Sequence, residues 1–146
     1  LYSNYHVLNA ILSEKKQQAD IRNIKYDVYV EPGIVLEMVE DVDLIAMLGN
    51  LLDNAIRAAQ DSGESPFIKV RIYMQAVGGF CVTKIENSYS GDIIKNDENF
   101  VSTKKEKGLH GFGIKSVNRM AEKYGGYLNC KLKENVFEAV LLLSTI

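Results

Sequence analysis

The segment from residue 41 to about residue 61 most narrows what this chain can fold into. Leu44, Ile45, Leu48, Leu51, Leu52, Ile56 and Ala59 recur there at three- and four-residue intervals, so a helix would gather them on one face. Asp41 is placed to cap its start, and Ser62-Gly63 lies beyond its end. A long helix with one apolar stripe needs a second layer to bury it, and the segments around it read as strands. Residues 24–31 alternate Ile24, Tyr26, Val28 and Val30 with the two-residue period of a half-buried strand, which Pro32-Gly33 stops. Residues 67–76 and 80–87 are two more strand patterns, joined at Gly78-Gly79 as in a hairpin.

Glycines at 108, 111 and 113 open a further amphipathic helix carrying Ile114, Val117, Met120, Ala121 and Tyr124, which Gly125-Gly126 closes. Strand patterns at 127–132 and 136–143 finish the chain. A first helix, ending near Ile21, has a sparse apolar stripe of Tyr5, Leu8, Ile11, Leu12 and Ala19. Such a stripe suits an element that packs on a neighbouring module or continues an upstream helix. Residues 88–107 are polar and aperiodic, a loop long enough in a compact domain to be functional. This order of elements predicts a two-layer α/β sandwich, its sheet mixed but mostly antiparallel, with helices on one face.

Composition removes several function classes. With 17 Lys and Arg against 19 Asp and Glu, the net charge of −2 gives no general attraction to nucleic acid or anionic lipid. No tract approaches the roughly 20 apolar residues of a membrane span. Cys81 and Cys130 stand alone, without the Cys-x-x-Cys spacing of a zinc or redox site, and read as buried free thiols. The first residue is Leu1 rather than Met, and no targeting segment precedes the fold, so the chain is expected to be a domain of something longer.

Three constellations could carry chemistry. Asn50 and Asn54 lie four residues apart in the predicted helix, about 40° from each other around its axis, so both amides can meet one ligand. Amide oxygens are hard, neutral donors suited to Mg²⁺ that shares its shell with phosphates and water. The same stripe could equally be a solvated face with Asp53 and Arg57 as a surface ion pair. Gly108-Leu109-His110-Gly111-Phe112-Gly113 precedes a helix, where glycines let the backbone approach a phosphate and the helix start favours the anion. It is neither a Rossmann fingerprint nor a Walker loop. Lys104, Lys105 and Lys107 add a local positive cluster. Asn87, at a strand end, can exchange hydrogen bonds with an adenine edge or serve ordinary turn chemistry.

Together these residues resemble the ATP-binding fold of gyrase B-type ATPases, Hsp90, MutL and sensor histidine kinases, called the GHKL or Bergerat fold. Gly49-Asn50-Leu51-Leu52-Asp53-Asn54-Ala55 looks like the kinase N box. Gly108 through Ile114 with Gly125-Gly126 looks like the second glycine box, and Phe100-Val101-Ser102-Thr103-Lys104 is similar to the F box. Within the family the chain is most similar to peptide-pheromone quorum-sensing kinases of Gram-positive bacteria. Many of those also lack the Asp-x-Gly-x-Gly box, for which Ile85-Glu86-Asn87-Ser88-Tyr89 stands here.

The resemblance implies that residues 24–146 are an ATP-binding catalytic domain and residues 1–23 the C-terminal end of an upstream dimerisation helix. It implies Mg²⁺ on Asn54 with Asn50 assisting, phosphate contact by Arg57, and nucleotide contacts by Asn87, Lys104, Lys105, Gly108, His110, Gly111 and Gly113. Asn50 occupies a position where hydrolysing members of the fold often carry a water-activating Glu; an amide cannot take that proton, which favours a kinase. The acceptor histidine is expected upstream, with His6 a surface or dimer-facing side chain. Expected partners are the chain's own dimerisation and phosphoacceptor module, in a homodimer, and a response regulator. The expected location is the cytoplasmic side of a membrane-bound bacterial sensor. Two rivals stay open: a serine kinase of the same fold, and a degenerate module kept for protein contacts.

Overall fold

A computed structural model of the chain describes residues 2–90, 94–96, 99–101 and 112–145. The elements run α1 (His6–Ile21), β1 (Lys25–Val30), α2 (Asp41–Gln60), β2 (Phe67–Met74) and β3 (Phe80–Ser88). They continue with β4 (Ile94–Asn96), β5 (Asn99–Val101), α3 (Phe112–Lys123), β6 (Tyr127–Lys133) and β7 (Val136–Ser144). Five strands form one sheet in the order β1-β2-β3-β7-β6. β1 and β2 are parallel, with Val28 opposite Val70, because α2 lies between them in sequence and carries the chain back across the sheet. The other pairs are antiparallel, two of them made by direct hairpins, β2-β3 and β6-β7. The architecture is the expected mixed α/β sandwich.

One sheet face is apolar because the strand alternation puts Val28 and Val30, Ile68, Val70 and Ile72, Cys81 and Ile85, and Ala139, Leu141 and Leu143 on the same side. The helices cover that side. α2 contributes Leu44, Met47, Leu48, Leu51, Leu52, Ala55, Ile56 and Ala59, and α3 contributes Val117 and Ala121. Ile45 departs from the expected stripe and is half exposed, since it sits at the edge of the stripe beside the exposed Val42. α1 packs on α2 and adds Leu8, Ile11, Leu12 and Ala19 to the same core.

The opposite sheet face is charged. Asp27 pairs with Arg71 at 2.8 Å. The buried carboxylate of Glu138 is ringed by Lys133 at 2.8 Å, Lys131 at 3.5 Å and Lys84 at 3.6 Å.

The helix ends follow local chemistry, with one correction. Asp41 does not cap α2: the capping position falls on Glu40, whose extended backbone precedes the helix, and no side chain caps it there. Asp41 and Asp43 instead lie in the first turn, where their charge favours the helix dipole. α3 stops as its glycines predict. Gly125, at φ +69°, donates to the Glu122 carbonyl, and Gly126 donates to the Ala121 carbonyl, a Schellman closure. Gly126 is needed for a second reason, since a Cβ there would fall 1.7 Å from the Leu142 carbonyl oxygen. α1 closes the same way with Asn23 at φ +57°.

Within the stretch expected to be loop, β4 and β5 pair antiparallel. Three residues a strand are too few for periodicity to register.

Candidate functional site

α2 presents its polar edge where the core stripe ends. Asn50 and Arg57 are exposed and Asn54 is half-buried, all on the flank away from Leu48 and Leu52. Asn54 is turned toward the start of α3, and a Cβ added to Gly113 would lie 3.9 Å from its Nδ2. Thus the second asparagine of the first constellation and the last glycine of the second, 59 positions apart, face each other across the α2–α3 junction. Gly113 is the second residue of α3, so the free amides of that helix start lie beside the Asn54 amide.

Other contacts hold the two helices in that relation. The Tyr124 hydroxyl donates to the Asp43 carboxylate and accepts from the Glu40 backbone N–H at 3.2 Å. Lys123 Nζ reaches Asp43 at 2.9 Å. The hydrogen bonds from Tyr124 and Lys123 hold the Asp43 carboxyl below the usual carboxylate range. The hydrogen bond to Asp43 raises Lys123, while desolvation and then the Asp43 bond raise Tyr124.

Asn87 lies near the end of β3, opposite Ile68 and Phe137, with only 2% of its surface exposed. Its Nδ2 donates to the Ser88 carbonyl at 2.9 Å. Among the described residues nothing donates to its Oδ1. With no donor among the described residues, this oxygen is chemically suited to accept from a ligand's N–H.

Lys104, Lys105, Lys107, Gly108, His110 and Gly111 lie outside the described residues. Of the F-box run, Phe100 and Val101 fall in β5, and the rest also lies outside.

Asp53 does not stand as a simple surface partner of Arg57. Its Oδ1 accepts from Lys15 Nζ of α1 at 2.6 Å, and the Lys15 side chain is 8% exposed. Sequence reasoning overlooked Lys15, although its position was readable: it falls seven residues after Leu8, four after Ile11 and three after Leu12, on the apolar stripe of α1. A lysine there demands an anionic partner.

Among the described residues no cluster of three or more His, Cys, Asp or Glu could cage a metal ion. Asn50 and Asn54 offer neutral amide oxygens, and the nearby carboxylate of Asp53 is taken by Lys15. That donor set fits Mg²⁺ in the one form it could take here, with most of its shell supplied by phosphate and water.

Comparison with known proteins bears on the fold and the family. No curated protein matches the chain. Among solved structures, the histidine kinase AdeS of Acinetobacter baumannii aligns with a TM-score of 0.70 at 16% identity, covering 99% of this chain and 66% of that one. The catalytic domain of histidine kinase ThkA, nucleotide-free, aligns with a TM-score of 0.68 at 16% identity over 99% of this chain and 94% of its own. ThkA in complex with the response regulator TrrA gives 0.70 at 18% identity, covering 99% of this chain and 41% of that kinase. The chain therefore spans two thirds or less of the longer kinases and nearly all of an isolated catalytic domain. At these identities the likeness establishes the fold of histidine kinase catalytic domains. The family model described as GHKL domain matches residues 39–144, which include α2, Asn87 and α3, and on that match the chain belongs to the GHKL domain family.

Proposed function

We propose that the chain binds Mg-ATP and passes the γ-phosphoryl group to a histidine outside residues 1–146, as the catalytic domain of a two-component sensor kinase. The observation that carries this reading is the approach of Asn54 to Gly113, which sets the Asn54 side-chain amide beside a helix start. Asn54, with Asn50, would hold Mg²⁺, whose chemistry is to neutralise the phosphate oxygens as charge develops on them. Arg57, Lys104 and Lys105, with backbone amides at Gly108, His110, Gly111 and Gly113, would hold the triphosphate. The Asn87 Oδ1 would accept from the exocyclic amine of adenine, in the place of the missing Asp-x-Gly-x-Gly box.

No carboxylate takes the position of Asn50, so the site offers no base there to activate water. Its contribution is positioning and charge stabilisation for a nucleophile supplied from outside. Residues 1–23 would be the C-terminal end of the dimerisation module's second helix, with the acceptor on the helix before it, in a homodimer whose phosphate then passes to a response regulator. The run at residues 85–89 favours the quorum-sensing subfamily with a membrane-bound sensor upstream. No helix among the described residues is long and apolar enough to cross a membrane, so any span would lie elsewhere in such a protein.

Titration calorimetry with a non-hydrolysable ATP analogue, with and without Mg²⁺, tests the proposal. Mg²⁺-dependent binding is expected. Silence at millimolar nucleotide would favour a degenerate module instead. With an upstream helical hairpin supplied, the phosphoprotein should be acid-labile; an acid-stable product would indicate a serine kinase.

A further inference from the structure

Lys15 is the lysine most deeply buried among the described residues, on a helix face otherwise lined by Leu8, Ile11, Leu12 and Ala19. Its Nζ lies 2.6 Å from Asp53 Oδ1 and 3.6 Å from the Glu14 carboxylate. For stability alone an apolar side chain would serve as well or better, because burying an ammonium costs desolvation that its partner only repays. The position of the partner gives the charge another use. Asp53 sits between Asn50 and Asn54, and helix geometry makes Asn50, three residues before it, and Arg57, four after it, its surface neighbours. An uncompensated carboxylate there would repel an incoming polyphosphate and compete with the asparagine amides for a divalent cation.

We infer that Lys15 is a positioning residue for the nucleotide site and acts through Asp53. It neutralises that carboxylate and holds it on the α1 side of α2, so that the triphosphate meets only amides and cations along the Asn50–Arg57 edge. The inference rests on the Mg-ATP reading above. It assigns to α1 a part in nucleotide binding that no residue of the site's own helix supplies.

The test compares the chain with its Lys15→Met and Lys15→Met/Asp53→Asn variants, titrating an ATP analogue with Mg²⁺ at low salt and at about 1 M salt, where charges are screened within roughly 3 Å. Lys15→Met should bind about three- to tenfold more weakly at low salt. The deficit should shrink at high salt, and the double variant should regain the affinity of the unaltered chain. Removing a second charge cannot repair a packing fault, so a double variant as weak as Lys15→Met would assign Lys15 a structural role and overturn the inference. Unchanged affinity in Lys15→Met would overturn it too. If Lys15→Met does not fold, Asp53→Asn alone decides: affinity equal to or above that of the unaltered chain is expected, and weaker binding would make Asp53 itself a nucleotide contact. Absence of binding by the unaltered chain would defeat the Mg-ATP reading and the inference together, whereas binding with no response to Lys15→Met defeats the inference alone.

Discussion

At the scale of single residues, the site is a matter of which side chains the helices aim at each other. Replacing Asn54 with Ala removes an amide that lies against Gly113 but carries no core packing. Mg²⁺-dependent nucleotide binding should fall more than tenfold in calorimetry while unfolding stability changes by less than about 1 kcal/mol. A large stability loss would make Asn54 a structural residue. The reverse profile is expected at Gly126, where any Cβ meets the Leu142 carbonyl. Gly126→Ala should cost about 3 kcal/mol in denaturant titration. The angular relation of Asn50 and Asn54 was readable from their spacing alone, since the helix turns by a fixed amount per residue. That Asn54 would meet Gly113 was not, because they lie 59 positions apart and spacing carries no information about tertiary approach. Lys15 was legible only as an anomaly: the stripe showed that it would be buried, and nothing in the sequence named Asp53 as its partner.

At the scale of elements, the relation between α2 and α3 depends on a charged tie at the end of α3 remote from Gly113. Asp43 accepts from Tyr124 and Lys123, which lowers its folded pKa below the unfolded value. The sign of the pH effect follows. Between the two values the unfolded chain binds more protons than the folded one, so the contribution of Asp43 is complete above the ordinary carboxylate pKa of 3.8 and is lost as pH falls through the lower folded value. The melting temperatures of the unaltered chain and of Asp43→Asn should therefore differ at about pH 6 and converge as the pH falls through the lowered folded value. A difference that does not change with pH would mean that shape, not charge, makes the tie. The tie escaped sequence reading because Tyr124 looked like the last member of an apolar stripe; its ring fulfils that role while its hydroxyl reaches α2. The helices and strands themselves were legible, as the periodicities of two and 3.6 survive in any context with one buried face. The cap of α2 was misplaced by one residue because the backbone turns into the helix at Glu40, whose side chain makes no capping bond.

At the scale of the whole molecule, alternation revealed the strands and the Gly78-Gly79 pair revealed the β2–β3 hairpin, but strand order could not be read this way. That β7 would lie inside the sheet and β6 at its edge depends on which edge of β3 was left open by β2, a choice made by packing under the helices. The order has a measurable consequence through the two thiols. Cys81 is 1% exposed on central β3, and Cys130 is half-buried on edge strand β6. Burial pushes both up to about 12, with the charge of Glu31 adding to the effect on Cys81. Neither thiol is then appreciably ionised near neutral pH, so modification by a thiol reagent must wait for an opening that hydrates the sulfur. For Cys130 release of the edge strand from α3 suffices, whereas Cys81 is flanked by β2 and β7 and is freed only when the whole sheet separates from its helices. In native buffer Cys130 should react first and Cys81 far more slowly. Mild denaturant should accelerate Cys81 with the full slope of global unfolding and Cys130 with a smaller one. Mass spectrometry of timed samples would resolve the two sites, and equal rates at every denaturant concentration would mean that edge and centre of this sheet open together.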